Sequence, residues 1–234
     1  DYANLWSYAA TAQYGVLYGP TMEEEDAALE KSISNFEEQC RRNGIHYRVH
    51  RDFTDFAFPQ LKQESRFADV MIMSGELFFK EFITTHRDDY LGTAIHQAES
   101  PVVIVPEKMP FPTTNVIAYD GSEESVYALK QFAYIFPGLA KNKTLLVYSA
   151  EGEESDFPSK DYVVELATQH YPDLTFYKLD LDPKKFFATW IAEQKGTILI
   201  SGSFGRSALS QALKKSFVSE ILSDHQIPVF IAHK

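Results

Sequence analysis

The chain has 234 residues, 44% of them apolar and 14% aromatic, which is enough for one large or two small packed domains and excludes a disordered chain. Its 33 acidic and 22 basic residues leave a formal charge of −11, which argues against nucleic-acid backbones and anionic membrane surfaces as partners. A single cysteine excludes an intramolecular disulfide. No apolar stretch is long enough to span a bilayer and no signal peptide stands at Asp1, so the expectation is a soluble cytoplasmic protein. The acidic total does not exclude a small phosphate ligand, which senses local charge.

Residues Asp1 to Pro20 are rich in aromatics (Tyr2, Trp6, Tyr8, Tyr14, Tyr18) without a clear period. They read as a cover for an apolar surface of their own domain, or as a surface offered to a partner. From Met22 the run Glu23-Glu24-Glu25-Asp26 suits the positive first turn of a helix, which continues to Cys40 and ends near Asn43-Gly44. Cys40 lies on the stripe Leu29, Ile33, Phe36, Cys40, so a buried structural thiol is the expectation. Ile45 to His50 alternates as a half-buried strand. That places His46 and His50 roughly 13 Å apart, too far for one metal ion. A short helix from Pro59 to Arg66 leads to a strand, Asp69 to Met73, ending at Ser74-Gly75. A helix from Asp89 to Ala98 and a strand from Pro101 to Val105 follow, and Pro106, Pro110 and Pro112 then make a stiff linker.

After the linker the order restarts. Asn115 to Tyr119 is a strand ending in Asp120-Gly121-Ser122, and Ser122 can cap the helix carrying Val126, Leu129, Phe132 and Phe136. Then come a strand (Thr144 to Tyr148), an acidic loop (Glu151 to Asp156), a helix (Lys160 to Tyr171) and a strand (Leu174 to Leu179). A helix from Pro183 to Gln194 leads into the unbroken apolar run Thr197-Ile198-Leu199-Ile200, which fits a strand buried on both faces. A last helix (Phe217 to Ser223) and strand (Ile227 to Ala232) close the chain. Strands alternating with helices signal an open, mostly parallel α/β sheet.

The two halves align. Ser74-Gly75 falls on Ser201-Gly202 at an offset of 127 (202 less 75), and Pro101-Val102 falls on Pro228-Val229 at the same offset. Duplicated domains follow: a first unit over 1–106, a linker over 107–114 and a second unit over 115–234. Asp120 has no counterpart at this offset, so the first unit lacks its opening strand and helix, and omission from a longer chain is the favoured explanation. The last strands, Pro101–Val105 and Ile227–Ala232, are expected to pair with each other about a pseudo-twofold axis, within one chain or between two.

After Gly202 the spacing is Gly202-x2-Gly205-x9-Lys215-Ser216, with Arg206 and Lys214 nearby. Glycines at a strand's carboxyl end, nearby cations and a following helix are the parts of an anion site. The pattern is neither a Walker loop nor a serine-hydrolase elbow. It resembles the G-x2-G-x9-G-[S/T] of the universal stress proteins, with Lys215 where the family has glycine. With Asp120 at the first strand's end and the tandem α/β order, the whole chain looks like a tandem member, the match being better over 115–234 than over 22–106.

The resemblance implies two Rossmann-like units of the adenine nucleotide alpha hydrolase-like type, each a five-stranded parallel sheet between helices, the first without its opening strand and helix. It also implies that Asp120 contacts a nucleoside while Gly202, Gly205 and Ser216 cradle phosphates. Arg206 is a nearby cation that can hold a phosphate, and Lys215, which departs from the family pattern, either crowds the backbone approach that glycine allows or holds a phosphate by its charge. At the matching places the first unit has Phe78, Asp88 and Asp89, which would block and repel a phosphate. For Asp120 a helix-capping role is the competing explanation. Two functions stay open. One is a regulatory or interaction module in stress response with no or weak nucleotide binding, which self-associates through the last strand of each unit. The other is an ATP-binding protein with one adenine nucleotide in the second unit. An enzyme is the least favoured class, since no base–nucleophile pair stands out and the seven histidines form no recognisable metal-ligand set.

Overall fold

Short β-branched runs without interruption need both of their faces covered, and the chain meets that need by pairing them into one sheet with helical residues packed on either face. The computed structural model describes residues 22–50, 57–74, 94–106, 109–149, 157–179, 190–191, 193–194, 196–202 and 227–232. The chain divides into two units, Asp1–Ala57 and Phe58–Lys234.

In the first unit, α1 (Met22–Arg42) has Arg41 and Arg42 in its last turn, favourable to the helix dipole. It ends where Gly44 takes a positive φ of 65° and Ile45 N–H donates to the Cys40 carbonyl at 2.9 Å, a glycine-terminated helix end. Cys40 is buried, but Leu29 and Phe36 of its stripe are about half exposed (52% and 51%). The expected strand over 45–50 is a correction: these residues have no regular structure. Tyr47 and Val49 are half-buried and the Tyr47 ring meets Phe36 edge-on at 5.8 Å, so the side chains alternate. Alternation alone makes no strand, because a ladder also needs a backbone partner.

The second unit contains α2 (Ala57–Arg66), β1 (Met71–Ser74), β2 (Val102–Val105), β3 (Thr114–Ala118), α3 (Glu123–Ile135), β4 (Lys143–Ser149), α4 (Lys160–His170), β5 (Leu174–Leu179), β6 (Thr197–Gly202) and β7 (Val229–Ala232). Residues 94–97 add a helical turn and 190–191 are helical; Ala98, Glu193 and Gln194, expected at the helix ends, are not helical, and the rest of the helices expected over 89–98 and 183–194, with all of 217–223, lies outside the described residues. The strands form one seven-stranded sheet in the order β1-β2-β7-β6-β3-β4-β5. All neighbours are parallel except β2 and β7. β6 and β7 are buried at every residue, as their unbroken apolar runs require, whereas edge strand β5 alternates. No helix among the described residues is long and apolar enough to cross a membrane.

One face of the sheet presents Val102, Ile104, Val116, Leu199, Val229 and Ile231 to Ala94, Ile95, Ala98, Ile191 and Ile227. The other presents Ile117, Ile198, Ile200 and Phe230 to Ala128, Leu129 and Phe132 of α3 and to Val163 and Ala167 of α4. Tyr171, just past α4, is buried and its hydroxyl donates to the Leu129 carbonyl at 2.7 Å, tying the two helices. Burial pushes this phenol well above its ordinary range. The folded protein therefore keeps its proton while the unfolded chain loses it above about pH 10. Stability should fall as pH rises beyond that value, by up to about 1.4 kcal/mol per pH unit from this group. Urea denaturation at neutral and alkaline pH should show Tyr171→Phe less stable by about 1 kcal/mol at neutral pH and less alkali-sensitive than the parent. Equal alkali sensitivity in both proteins would refute the assignment.

The antiparallel β2–β7 pair is symmetric. Val103 lies opposite Phe230, its counterpart at the offset of 127, while Val102 lies opposite Ile231 and Ile104 opposite Val229. Each outer pair thus becomes the other when the strands are exchanged. The same offset fails at β1. Ser74 is level with Val105 in β2, and Gly202 is level with Ala232 in β7. Since Val105 and Ala232 are counterparts, Ser74 and not Gly75 stands where Gly202 does. The alignment of Ser74-Gly75 with Ser201-Gly202 is therefore corrected by one residue. The faces agree, because Met71 and Leu199 both lie on the first face, and a slip of one reverses a strand.

Candidate functional site

β3 is flanked by β6 on one side and β4 on the other, so the chain order reverses at β3. Open α/β sheets leave a crevice beyond the carboxyl ends of strands at such a reversal. Asp120 and Gly202 both lie there, one past the end of β3 and the other at the end of β6.

Asp120 is half-buried, and its Oδ1 accepts from the Ser122 N–H at 2.9 Å and the Ser122 hydroxyl at 2.5 Å. Ser122 Oγ in turn accepts from the Ser125 N–H at 3.1 Å and caps α3. The carboxylate thus orients the residue that caps the helix. Ser122→Ala should cost about 1 kcal/mol of stability in urea denaturation, as the cap and the anchor of Asp120 go together. An unchanged midpoint would refute the role.

Gly202 is a close-approach glycine. A Cβ built on it would lie 2.6 Å from the Glu124 carbonyl carbon and 2.7 Å from the Ser125 nitrogen. The start of α3 therefore sits directly on β6, and only a residue without a side chain fits beneath it. Gly121 has φ +80°, and a Cβ there would be 2.5 Å from Pro158 Cβ. The Tyr119 hydroxyl donates to the Pro158 carbonyl at 2.7 Å, so the residues before α4 lie against the turn that carries Asp120. Burial, and secondarily the Asp120 charge, raise the Tyr119 phenol above its ordinary value. No local sequence pattern marks the Tyr119 hydroxyl or Pro158 as part of the site. Pro158 stands two residues before a helix start, and only its meeting with Gly121 shows what it holds.

The structure thus brings both Asp120 and Gly202 against the start of α3. Gly205, Arg206, Lys215 and Ser216 lie outside the described residues, as do Phe78, Asp88 and Asp89 of the first half. The first turn of α3 carries Glu123 and Glu124. Among the described residues no group of three or more His, Cys, Asp or Glu is placed to hold a metal ion.

No family model matches this chain, and no curated protein sequence does. Its structure is similar to that of a universal stress protein from Archaeoglobus fulgidus, with a TM-score of 0.63 and 18% identity over 94% of this chain and 82% of that one. The fold is universal-stress-protein-like. A functionally unknown protein from Pseudomonas aeruginosa is also similar, with a TM-score of 0.52 and 15% identity over 92% of this chain and 79% of that one. At such identities the universal-stress-protein likeness is one of fold, and residue roles have to be argued from this chain alone.

Proposed function

We propose that the chain is a universal-stress-protein-like regulatory and interaction module, built from two related units over 1–106 and 115–234, with weak or no binding of adenine nucleotide. One observation carries this reading. Both described members of the candidate site already have structural duties, Asp120 in holding the cap of α3 and Gly202 in seating it. Their presence is therefore explained without a ligand. Self-association through the last strands is, on this reading, the internal β2–β7 pair, whose outer edges are taken by β1 and β6. Sedimentation at rising concentration tests that part, with a single-copy species expected.

A second reading, one adenine nucleotide bound through Asp120, Gly202, Gly205, Arg206, Lys215 and Ser216, draws support from the strand-order reversal at β3. Calorimetric titration with ATP separates the two. Weak or absent binding, with Kd no tighter than about 1 mM (about −4 kcal/mol), is expected. Micromolar binding that Gly205→Phe abolishes would replace the first reading by the second.

A further inference from the structure

Residues 157–159 lead into α4, and their contacts reach β4, β5 and the turn after β3. The Phe157 ring meets Tyr148 of β4 at 5.4 Å and Phe176 of β5 edge-on at 5.8 Å. The Pro158 ring lies against Gly121, where a Cβ would be 2.5 Å from its Cβ and 3.1 Å from its Cγ. Its carbonyl accepts from the hydroxyl of Tyr119, a residue only 1% exposed. One side of the turn that carries Asp120 is therefore covered by this strap, while Gly121 remains exposed on the other. Against these contacts stands Ser159. It is the one non-glycine residue with a positive φ among the described residues (φ 50°, ψ 42°), and its side chain makes no cap bond. A left-handed backbone costs a residue with a Cβ about as much free energy as one hydrogen bond contributes. The strap is thus held closed by a bond at Pro158 and pressed open by strain at the next residue. The first turn of α4 depends on it too, because Val163 N–H donates to the Ser159 carbonyl at 3.0 Å.

We propose that 157–159 is a latch on the 120–122 turn, which opens as a unit while the sheet stays folded. The Tyr119 hydroxyl is its catch, and the left-handed Ser159 backbone drives it open when the catch lets go. Opening lifts Pro158 from Gly121 and presents the second side of the turn to a ligand at Asp120. A site that only the open form offers binds with an apparent affinity lowered by the fraction open. The closed latch therefore gives a physical reason for weak nucleotide binding in a chain that keeps both Asp120 and Gly202. That consequence rests on the nucleotide site of the second reading above; the latch itself does not.

Hydrogen exchange in the whole chain, read by NMR at the Val163 and Leu199 amides, tests the latch. Leu199 N–H donates to the Pro228 carbonyl within the sheet and reports on unfolding of the unit. In the parent, Val163 should exchange at least about a hundredfold faster than Leu199, and low urea should speed only Leu199. Tyr119→Phe, which removes the catch, should speed Val163 about fivefold. Ser159→Gly, which relieves the strain, should slow it at least about twofold. Where Tyr119→Phe is not folded by circular dichroism, Ser159→Gly decides alone, and an unslowed rate overturns the proposal. Val163 exchange indifferent to a folded Tyr119→Phe would overturn it too, since α4 would then fray without moving the strap. Rates at Val163 and Leu199 that rise together in urea would do the same, because the strap would open only with the sheet. Calorimetry with ATP on the same three proteins keeps the nucleotide reading apart. Tighter binding in Tyr119→Phe and weaker binding in Ser159→Gly is expected of a gated site, and one affinity for all three would overturn the gating. Exchange ordered as expected, with no ATP heat in any protein, would remove the nucleotide reading and leave the latch standing.

Discussion

Replacing Gly202 by valine is expected to destabilise the sheet unit by about 3 kcal/mol or more, among the largest effects of any single change in the described residues. The physical reason is the identity of the atoms in the way. A Cβ at this position would meet the Glu124 carbonyl carbon at 2.6 Å, the Ser125 nitrogen at 2.7 Å and Glu124 Cβ at 2.8 Å. Two of these are backbone atoms of a capped helix start, which cannot move aside as the end of a long side chain can. Relief requires α3 to lift from β6, taking Leu129 and Phe132 away from Ile198 and Ile200. Gly202→Ala should lie between the parent and the valine variant, and Ser74→Gly should stay within about 0.5–1 kcal/mol of the parent, the cost of a strand glycine. Urea denaturation followed by circular dichroism orders the four proteins. A valine variant as stable as the parent would show that α3 does not rest on Gly202.

Phe132→Ala is expected to cost about 3–5 kcal/mol, the range for emptying an aromatic from a packed core. Phe132 is fully buried on α3. Its ring meets Phe230 of β7 at 5.2 Å edge-on and Phe136 at 5.5 Å. The contact joins the helix to the strand that also pairs with β2, so the cavity would open beside the symmetric seam of the sheet. Phe132→Leu, which keeps most of the apolar volume, should lose markedly less. Thermal and urea unfolding of both variants check the order. A loss under about 1 kcal/mol for alanine would mean that neighbouring side chains collapse into the space.

The turn and helix cap beside Asp120 were legible in the chain, and what was not legible around them has a common cause. Asp120-Gly121-Ser122 after an apolar strand announced a turn and a cap, and both are present, because a cap is made by residues two or three apart. The glycine of Ser201-Gly202 was equally visible. Its task was not, since phosphate and helix backbone both demand the absence of a Cβ, and only the position of Glu124 separates them. Pro158 carried no signal for its contact with Gly121, which lies 37 residues earlier in the chain (158 less 121).

By itself, the sequence determined the α/β alternation, the buried character of β6, and the helix ends at Ser122 and Gly44, all of which follow from spacing and backbone preference over a few residues. Only the tertiary structure decided that 45–50 forms no strand, that the expected pairing of β2 and β7 takes the register in which Val103 lies opposite Phe230, and that Ser74 stands where Gly202 does. Each of those depends on which backbone lies alongside. An apolar run records that it will be covered and on which faces, but the same run satisfies that need in either direction and at any register of matching parity.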